Sequence, residues 1–313
     1  MPKAELHVHL EGTMDPGTLL ALARRHGLKP IAPDEESISA WYRFDGFAQF
    51  LDRYFAVLEL LVDPEDFALV AQQYLLTAHD QGAVHVEFHV SACGHIIENA
   101  RPWGPIHSGI VEGCQRAEEE TGITWGLIPD ISPHLPAGEC AVAMDEVMNH
   151  DLTGVVAIGM GGPADTWITD DFTPIFCRAR EKGLHVVSHA AEHGGPAEVA
   201  YALEHFGVDR IQHGIGIMQD RDVVAQLIEQ QVPCDVCPGS NLALHAVDAP
   251  EQHPLPAMID AGITITLSTD DPPMFHTTLL DEYERAWNWC GLDLESIEVI
   301  ARNSLEAAFA DLA

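Results

Sequence analysis

Basic residues are scarce in this chain of 313 amino acids: 15 Lys and Arg face 49 Asp and Glu, a formal net charge of −34 with histidine neutral. Phosphate backbones and anionic lipid are held by clustered Lys and Arg, so the charge excludes nucleic acid and membrane surfaces as partners. Long apolar runs are missing too. No stretch reaches the ~18 apolar residues of a membrane span, and Met1-Pro2-Lys3-Ala4 leads into Glu5-Leu6-His7-Val8 without the apolar centre of an export signal. The seven cysteines are odd in number and scattered, which argues against a disulfide framework and for a reducing compartment. These absences predict a cytoplasmic protein. The remaining composition is globular, with 47% hydrophobic and 20% charged residues, and the acid excess is read as a solvated surface.

Short Val/Ile-rich runs alternate with helical stretches along the whole chain, the pattern of βα units in a parallel sheet. The runs at 5–10, 84–90, 124–131, 154–159, 185–189, 210–214, 232–236 and 263–268 predict eight strands. Eight strands predict an α/β fold of the closed (β/α)8 barrel type, with an open doubly wound sheet as the alternative. Asp15-Pro16 with Gly27, and Asp63-Pro64 with Gly82, frame two helices. The long interval between the first two strands is expected to be a helical insertion over roughly residues 30–80 within one domain spanning 1–313. It is rich in aromatics, among them Trp41, Phe47, Phe50, Tyr54 and Phe55, as expected of either a substrate-covering lid or a plain hydrophobic hairpin.

Barrel chemistry sits at the C-terminal ends of strands. The first strand ends in His7-Val8-His9, whose alternate residues share one face and suit one metal ion. The fifth ends in Ser188-His189-Ala190-Ala191-Glu192, the sixth in Gln212-His213-Gly214 and the eighth in Ser268-Thr269-Asp270-Asp271-Pro272. A barrel brings these groups together. A lysine-bridged pair of metals is excluded, because the only lysines are Lys3, Lys29 and Lys182 and none ends the fourth strand. His85-Val86-Glu87 with Pro233-Cys234-Asp235-Val236-Cys237 imitates a cytidine-type zinc motif, but the third to sixth strands separate the halves; Cys234 and Cys237 are read as buried strand residues.

With His7-Val-His-Leu-Glu-Gly-Thr13, His189-Ala-Ala-Glu192, Arg210-Ile-Gln-His-Gly214, Cys237-Pro-Gly-Ser-Asn241 and Ser268-Thr-Asp-Asp-Pro272 in this order, the chain resembles the adenosine and adenine deaminases of the amidohydrolase superfamily over essentially its whole length. The resemblance implies one zinc ion held by His7, His9, His189 and Asp270, with Fe2+, Co2+ or Mn2+ as tolerated substitutes. Zinc in such a site lowers the pKa of bound water to about 7. The implied reaction is hydrolytic removal of ammonia from a 6-aminopurine, a small molecule with a cyclic amidine C–N bond. Glu192 is to donate a proton at N1, His213 to orient or deprotonate the water, and Asp271 to accept a hydrogen bond near N7. His9, Glu11 and Gly162 complete the implied substrate contacts, Gly161-Gly162 facing N3. His193, beside Glu192, is assigned the edge of the site.

Three departures bear on the substrate. Ala191 replaces a family Gly and adds a methyl beside the acid. Glu11 stands where adenosine deaminases carry an Asp that reaches the ribose 5′-hydroxyl, and looks more like the adenine deaminases. The segment Asp270–Tyr283 and the Gly161-Gly162 pair look more like the nucleoside branch, some of whose members act on 6-aminodeoxyfutalosine. The expected substrate is therefore a 6-aminopurine nucleoside, adenosine or 6-aminodeoxyfutalosine, with free adenine as the alternative. A non-catalytic zinc-binding module is the reading from another class. Retention of Glu192 and His213, which zinc binding does not require, argues against it. Homo-oligomer formation is left open.

Overall fold

The apolar runs form eight parallel strands in a computed structural model of the chain, which describes residues 1–162 and 168–312. The strands are β1 (Lys3–His9), β2 (Ala83–Val90), β3 (Thr124–Ile131), β4 (Ala157–Met160), β5 (His185–Ala190), β6 (Arg210–His213), β7 (Cys234–Val236) and β8 (Ile265–Leu267). Their spatial order follows the sequence. Beyond β8 the chain returns to β1: the His9 N–H donates to the Asp270 carbonyl at 2.9 Å, and the Asp270 N–H to the His7 carbonyl at 3.1 Å. Ser268 Oγ accepts from the N–H groups of Leu6 and His7, each at 3.1 Å, across the same seam. The architecture is a (β/α)8 barrel, and this return excludes the open sheet. β4 starts later than its apolar run because Gly154 is left-handed, at φ +76°, and packs under the Trp125 ring, leaving Val155 in an isolated bridge to Leu127.

Between β1 and β2 lie α1 (Pro16–Arg25), α2 (Glu35–Trp41), α3 (Gly46–Leu58) and α4 (Pro64–Asp80). Asp15 caps α1 by accepting from the Thr18 N–H at 2.7 Å, and Asp63 with Asp66 forms a capping box on α4. β2 to β7 are followed by α5 (Trp103–Thr121), α6 (Ala137–Asn149), α7 (Thr173–Glu181), α8 (Pro196–Tyr201), α9 (Arg221–Gln230), α10 (Pro238–Ala243) and α11 (Leu255–Asp260). After β8 come α12 (Leu279–Asn288) and α13 (Leu294–Glu306). α4 packs closely on α5 because Gly109 and Gly113 share one face of α5; a Cβ on either would lie 2.1 Å from the carbonyl oxygen of Pro64 or Ala68. α4 thus belongs to the outer ring. The additional helices are α1 to α3; α2 and α3 fall within the span of 30–80 expected from sequence, whereas α1 precedes it and α4, inside it, belongs to the ring.

α3 crosses the C-terminal mouth of the barrel. Phe50 packs on Phe275 after β8 with ring centroids 5.2 Å apart, Phe47 on His193 after β5 at 4.8 Å, and Phe55 on His134 after β3 at 5.3 Å. At the opposite end the floor is charged. Arg210 is fully buried, with its Nε 2.6 Å from Asp235 and its guanidinium donating to Glu87 at 2.5 Å. The Phe309 N–H donates to Glu87 at 2.6 Å, so the C-terminal segment closes this end. Among the described residues no helix is long and apolar enough to cross a membrane.

Candidate active site

Four donors meet at the closing seam. His7 and His9 leave the end of β1 on one face, His189 comes from β5, and Asp270 follows β8. His189 Nδ1 donates to the Met160 carbonyl at 2.9 Å, which leaves its Nε2 lone pair facing inward. His7 Nδ1 faces the Asp235 carbonyl at 3.4 Å and likewise turns Nε2 inward. Nε2 of His189 lies 3.0 Å from Nε2 of His7 and 3.2 Å from Nε2 of His9. Asp270 Oδ1 lies 3.6 Å from His7 Nε2 and 3.3 Å from His9 Nε2.

These separations fit a metal ion. Bonds of about 2.0–2.1 Å in a tetrahedron put its corners about 3.4 Å apart. Facing imidazole lone pairs repel one another unless a cation sits among them. The local electrostatics point the same way: burial holds His7 and His189 well below the ordinary imidazole range, so both offer neutral nitrogen donors. At His9, burial is outweighed by Asp271, Asp270 and Asp130, which push it up to about 10. The acids around His9 therefore call for positive charge at this spot.

The backbone is bent to deliver these groups. Asp270 and His213 are left-handed at φ +66°, and Ala191 at φ +53°, conformations that cost non-glycine residues about 1–3 kcal/mol each and concentrate at functional sites. Ala191 is fully buried and does not line the cavity, so its methyl strains the turn before Glu192 instead of narrowing the pocket.

Above the four donors lies a cavity of about 620 Å³, its open mouth included. Phe47, Phe50, Leu51, Tyr54 and Phe55 of α3 give it an apolar wall. Glu192 and Asp271 also line it, and Glu192 Oε1 and Asp271 Oδ1 are buried without hydrogen-bond partners. Burial, and then the neighbouring Asp270, push Asp271 well above the usual carboxylate range. His213 lies between the acids, its Nε2 3.7 Å from Glu192 Oε1 and 3.9 Å from Asp270 Oδ2. Gly161 and Gly162 form part of the wall. A Cβ at Gly161 would lie 3.0 Å from the His189 ring and press on it, and Gly162 is left-handed at φ +132°, a conformation that favours glycine.

Residues 2–313 match the adenosine deaminase family. The chain belongs to that family. It is 36% identical to an adenine deaminase of Rhodopseudomonas palustris, over 99% of this chain and 90% of that protein. An aminodeoxyfutalosine deaminase of Streptomyces coelicolor is 35% identical, over 99% of this chain and 81% of its own length. Among solved structures, an adenine deaminase from Arthrobacter aurescens shares the fold with a TM-score of 0.95 at 31% identity, covering 99% of this chain and 94% of that one. As a member of the adenosine deaminase family the chain is a hydrolytic deaminase.

In this deaminase Glu11 does not line the cavity. It is fully buried behind the wall, where its carboxylate faces His95 Nε2 at 2.9 Å and accepts from the Ser91 N–H at 2.9 Å and the Tyr54 hydroxyl at 3.2 Å. The extra methylene of Glu over Asp carries the carboxylate past the pocket edge into this nest. His193 does not line the cavity either; it packs against Phe47 from outside, its Nε2 donating to the Leu244 carbonyl at 3.0 Å. The cytidine-type imitation dissolves, since Glu87 is committed to Arg210 and Cys234 and Cys237 are buried. Sequence reasoning missed Asp130, which lines the cavity and lies 3.0 Å from His89 Nδ1, and Ser240, whose Oγ donates to Asp270 Oδ2 at 2.6 Å. Ser240 lay within a recognised motif; Asp130 ends β3, where a charged residue in an apolar run was the available signal.

Proposed function

We propose that this deaminase removes ammonia from a 6-aminopurine that carries no phosphate, and that it does so in the cytoplasm as a single catalytic domain. The observation that carries the reading is the placement of two unpartnered carboxyl oxygens, Glu192 Oε1 and Asp271 Oδ1, in the cavity that the four-donor cluster enters. In a 6-aminopurine, N1 and N7 flank the C6 amino group, so one edge of the substrate presents a polar atom to each acid and C6 to the donors between. Among the described residues no Lys or Arg lines the cavity, which disfavours a nucleotide phosphate.

His7, His9, His189 and Asp270 suit zinc: two imidazoles are held neutral, and a bound cation would take the place of the proton that the acids draw to His9, leaving three nitrogen donors and one carboxylate. A bound zinc would supply water of lowered pKa at neutral pH. The chain's own groups do the rest. Glu192 donates a proton at N1 as water oxygen bonds to C6, which moves the ring electrons toward N1. Asp271 faces N7; because N7 of an N9-substituted purine has only a lone pair, the carboxyl there donates a proton, the reverse of the polarity read from sequence. The Gly161-Gly162 backbone faces N3, and His213 faces the reacting water. One proton of the water passes to the departing amine and the other restores Glu192, so cleavage of C6–N6 releases ammonia and leaves the 6-oxo product.

The nucleoside remains the first reading, and Asp130 and Ser132 on the cavity wall are suited to ribose hydroxyls. Free adenine is favoured by one observation: Glu11, the expected ribose contact, is sequestered behind Tyr54. Ammonia release should be measured for adenosine, 2′-deoxyadenosine, 6-aminodeoxyfutalosine, adenine, AMP, guanine and cytosine with metal-analysed protein. Turnover of a nucleoside with kcat/KM above about 10⁴ M⁻¹s⁻¹ supports the first reading, and preference for adenine supports the second. Efficient turnover of AMP, or of none of the 6-aminopurines, refutes the proposal.

A further inference from the structure

We propose that His253 and Asn241 are positioning residues that fix His213 in the tautomer carrying its proton on Nε2, so that His213 donates a hydrogen bond toward the reacting water instead of removing its proton. The inference rests on the reading above only in placing His213 beside the reacting atoms.

The argument starts from a group whose polarity is not adjustable. The Leu255 backbone N–H can only donate, and it lies 3.2 Å from His253 Nδ1, so that nitrogen accepts. Burial, and then the nearby His213, lower the His253 pKa to about 4, so near neutral pH the ring has one proton and holds it on Nε2. His253 Nε2 faces Asn241 Oδ1 at 3.2 Å and donates to it. The Asn241 amide is thereby oriented, since rotation would set its NH2 against the His253 N–H. Its Nδ2 then donates to His213 Nδ1 at 3.1 Å. With Nδ1 accepting, the His213 proton is on Nε2. The other side of the ring agrees independently: Nε2 lies between carboxyl oxygens of Glu192 and Asp270, at 3.7 and 3.9 Å, and the Asp270 carboxylate attracts an N–H and repels a lone pair. Asn241 is fully buried, and His213 and His253 nearly so, which shields the chain of bonds from water.

The direct test is ¹⁵N NMR of the metal-loaded, histidine-labelled enzyme near neutral pH. A pyridine-like Nδ1 and pyrrole-like Nε2 for His213 are expected; the opposite pattern, or two pyrrole-like nitrogens, overturns the proposal. Turnover supplies the second readout. Asn241→Asp keeps the shape and replaces the donor by an acceptor, which draws the His213 proton to Nδ1. We expect kcat to fall on the order of 10²- to 10⁴-fold, as for other histidines held in the wrong tautomer, with KM changed less than about threefold. His253→Phe should lower kcat less, because Asn241 is then freed and still visits the productive orientation. Asn241→Asp with kcat intact, or with KM and kcat changed in proportion, overturns the proposal. If His213 shows the expected nitrogens but no purine is turned over, the relay stands and the substrate reading falls.

Discussion

Gly12 lies in the short turn Glu11–Thr13 directly after β1, and a Cβ added there would sit 1.7 Å from Asp271 Oδ1 and 2.5 Å from its Cγ. Ordinary contact begins near 3.4 Å, so Gly12→Ala must move the Asp271 carboxyl by about 1.7 Å. The Asp271 backbone is held by its carbonyl, which accepts from the N–H groups of Met274 and Phe275, and the side chain is 1% exposed, so the methyl drives the carboxyl out of place toward the cavity that it lines. A misplacement of about 1 Å in a positioning group costs on the order of 10² in rate, or about 2.7 kcal/mol of transition-state stabilisation. Overpacking adds about 1–3 kcal/mol of lost stability. The four metal donors are not what the methyl strikes. We therefore expect Gly12→Ala to retain metal, to melt lower, and to lose about a hundredfold in kcat/KM on the best substrate. Metal analysis, thermal melting and steady-state kinetics on the same preparation check all three. In an Asp271→Gly background the methyl meets neither the carboxyl nor the Asp271 Cβ, which would otherwise lie 2.7 Å away, so adding Gly12→Ala there should change kcat/KM and melting temperature little. If Gly12→Ala alone keeps kcat/KM within about threefold of the parent, Asp271 does not contact the substrate as argued.

Glu192→Gln should retain metal and lose at least about 10²-fold in kcat, whereas His9→Ala should lose the metal as well; metal content separates the two, and a fully active Glu192→Gln refutes the N1 assignment. His253 has its folded pKa depressed from 6.5 to about 4, so the stability it contributes is complete above pH 6.5 and is lost as pH falls through 4. That loss is about 3 kcal/mol; urea titrations at pH 7.5 and 4.5 should show a smaller pH effect in His253→Gln than in the parent, and equal effects refute the assignment. A net charge of −34 repels itself, and raising salt from about 0.1 to 1 M shortens the screening length from about 10 to 3 Å, so the melting temperature should rise in KCl; a flat or falling profile refutes self-repulsion as a cost.

The barrel was legible because burial on both faces imposes Val/Ile runs that mark strands directly, and the His7-Val8-His9 spacing identified a shared face without any structure. Closure was not legible, since it consists of backbone bonds between His7, His9 and Asp270, and hydrogen-bonding partners leave no periodicity. The insert boundary erred for a related reason. The α1 to α3 helices and the ring helix α4 carry similar apolar patterns, and only the glycine seam of α5 shows which one packs as part of the ring. Glu11 illustrates a limit at shorter range: past a strand end the alternation rule stops, so spacing does not tell whether a carboxylate enters the pocket or turns behind it. Asn241 and His253 are legible only in retrospect, because their effect on His213 depends on the polarity of one backbone N–H two residues beyond His253.

The seam that closes the barrel is also the seam that holds the metal donors. His7 and His9 exchange backbone hydrogen bonds with Asp270, and these three side chains supply three of the four donors. A cation at this point therefore bonds to both edges that must meet for the sheet to close, so affinity for the metal and stability of the closed barrel are parts of one equilibrium. Beneath it, Arg210 ties β6 to Glu87 of β2 and Asp235 of β7, and to the carbonyls of Leu6 and Ala307, an arrangement held by charges that cannot be exchanged singly. The strained residues Ala191, His213 and Asp270 stand above this rigid floor and below an apolar wall carried by a separate helix. This division separates two kinds of change: the wall on α3 is carried by its own helix and can vary without touching the donors, whereas a change at a donor leaves the backbone bonds of the seam in place but removes a side chain from the cluster.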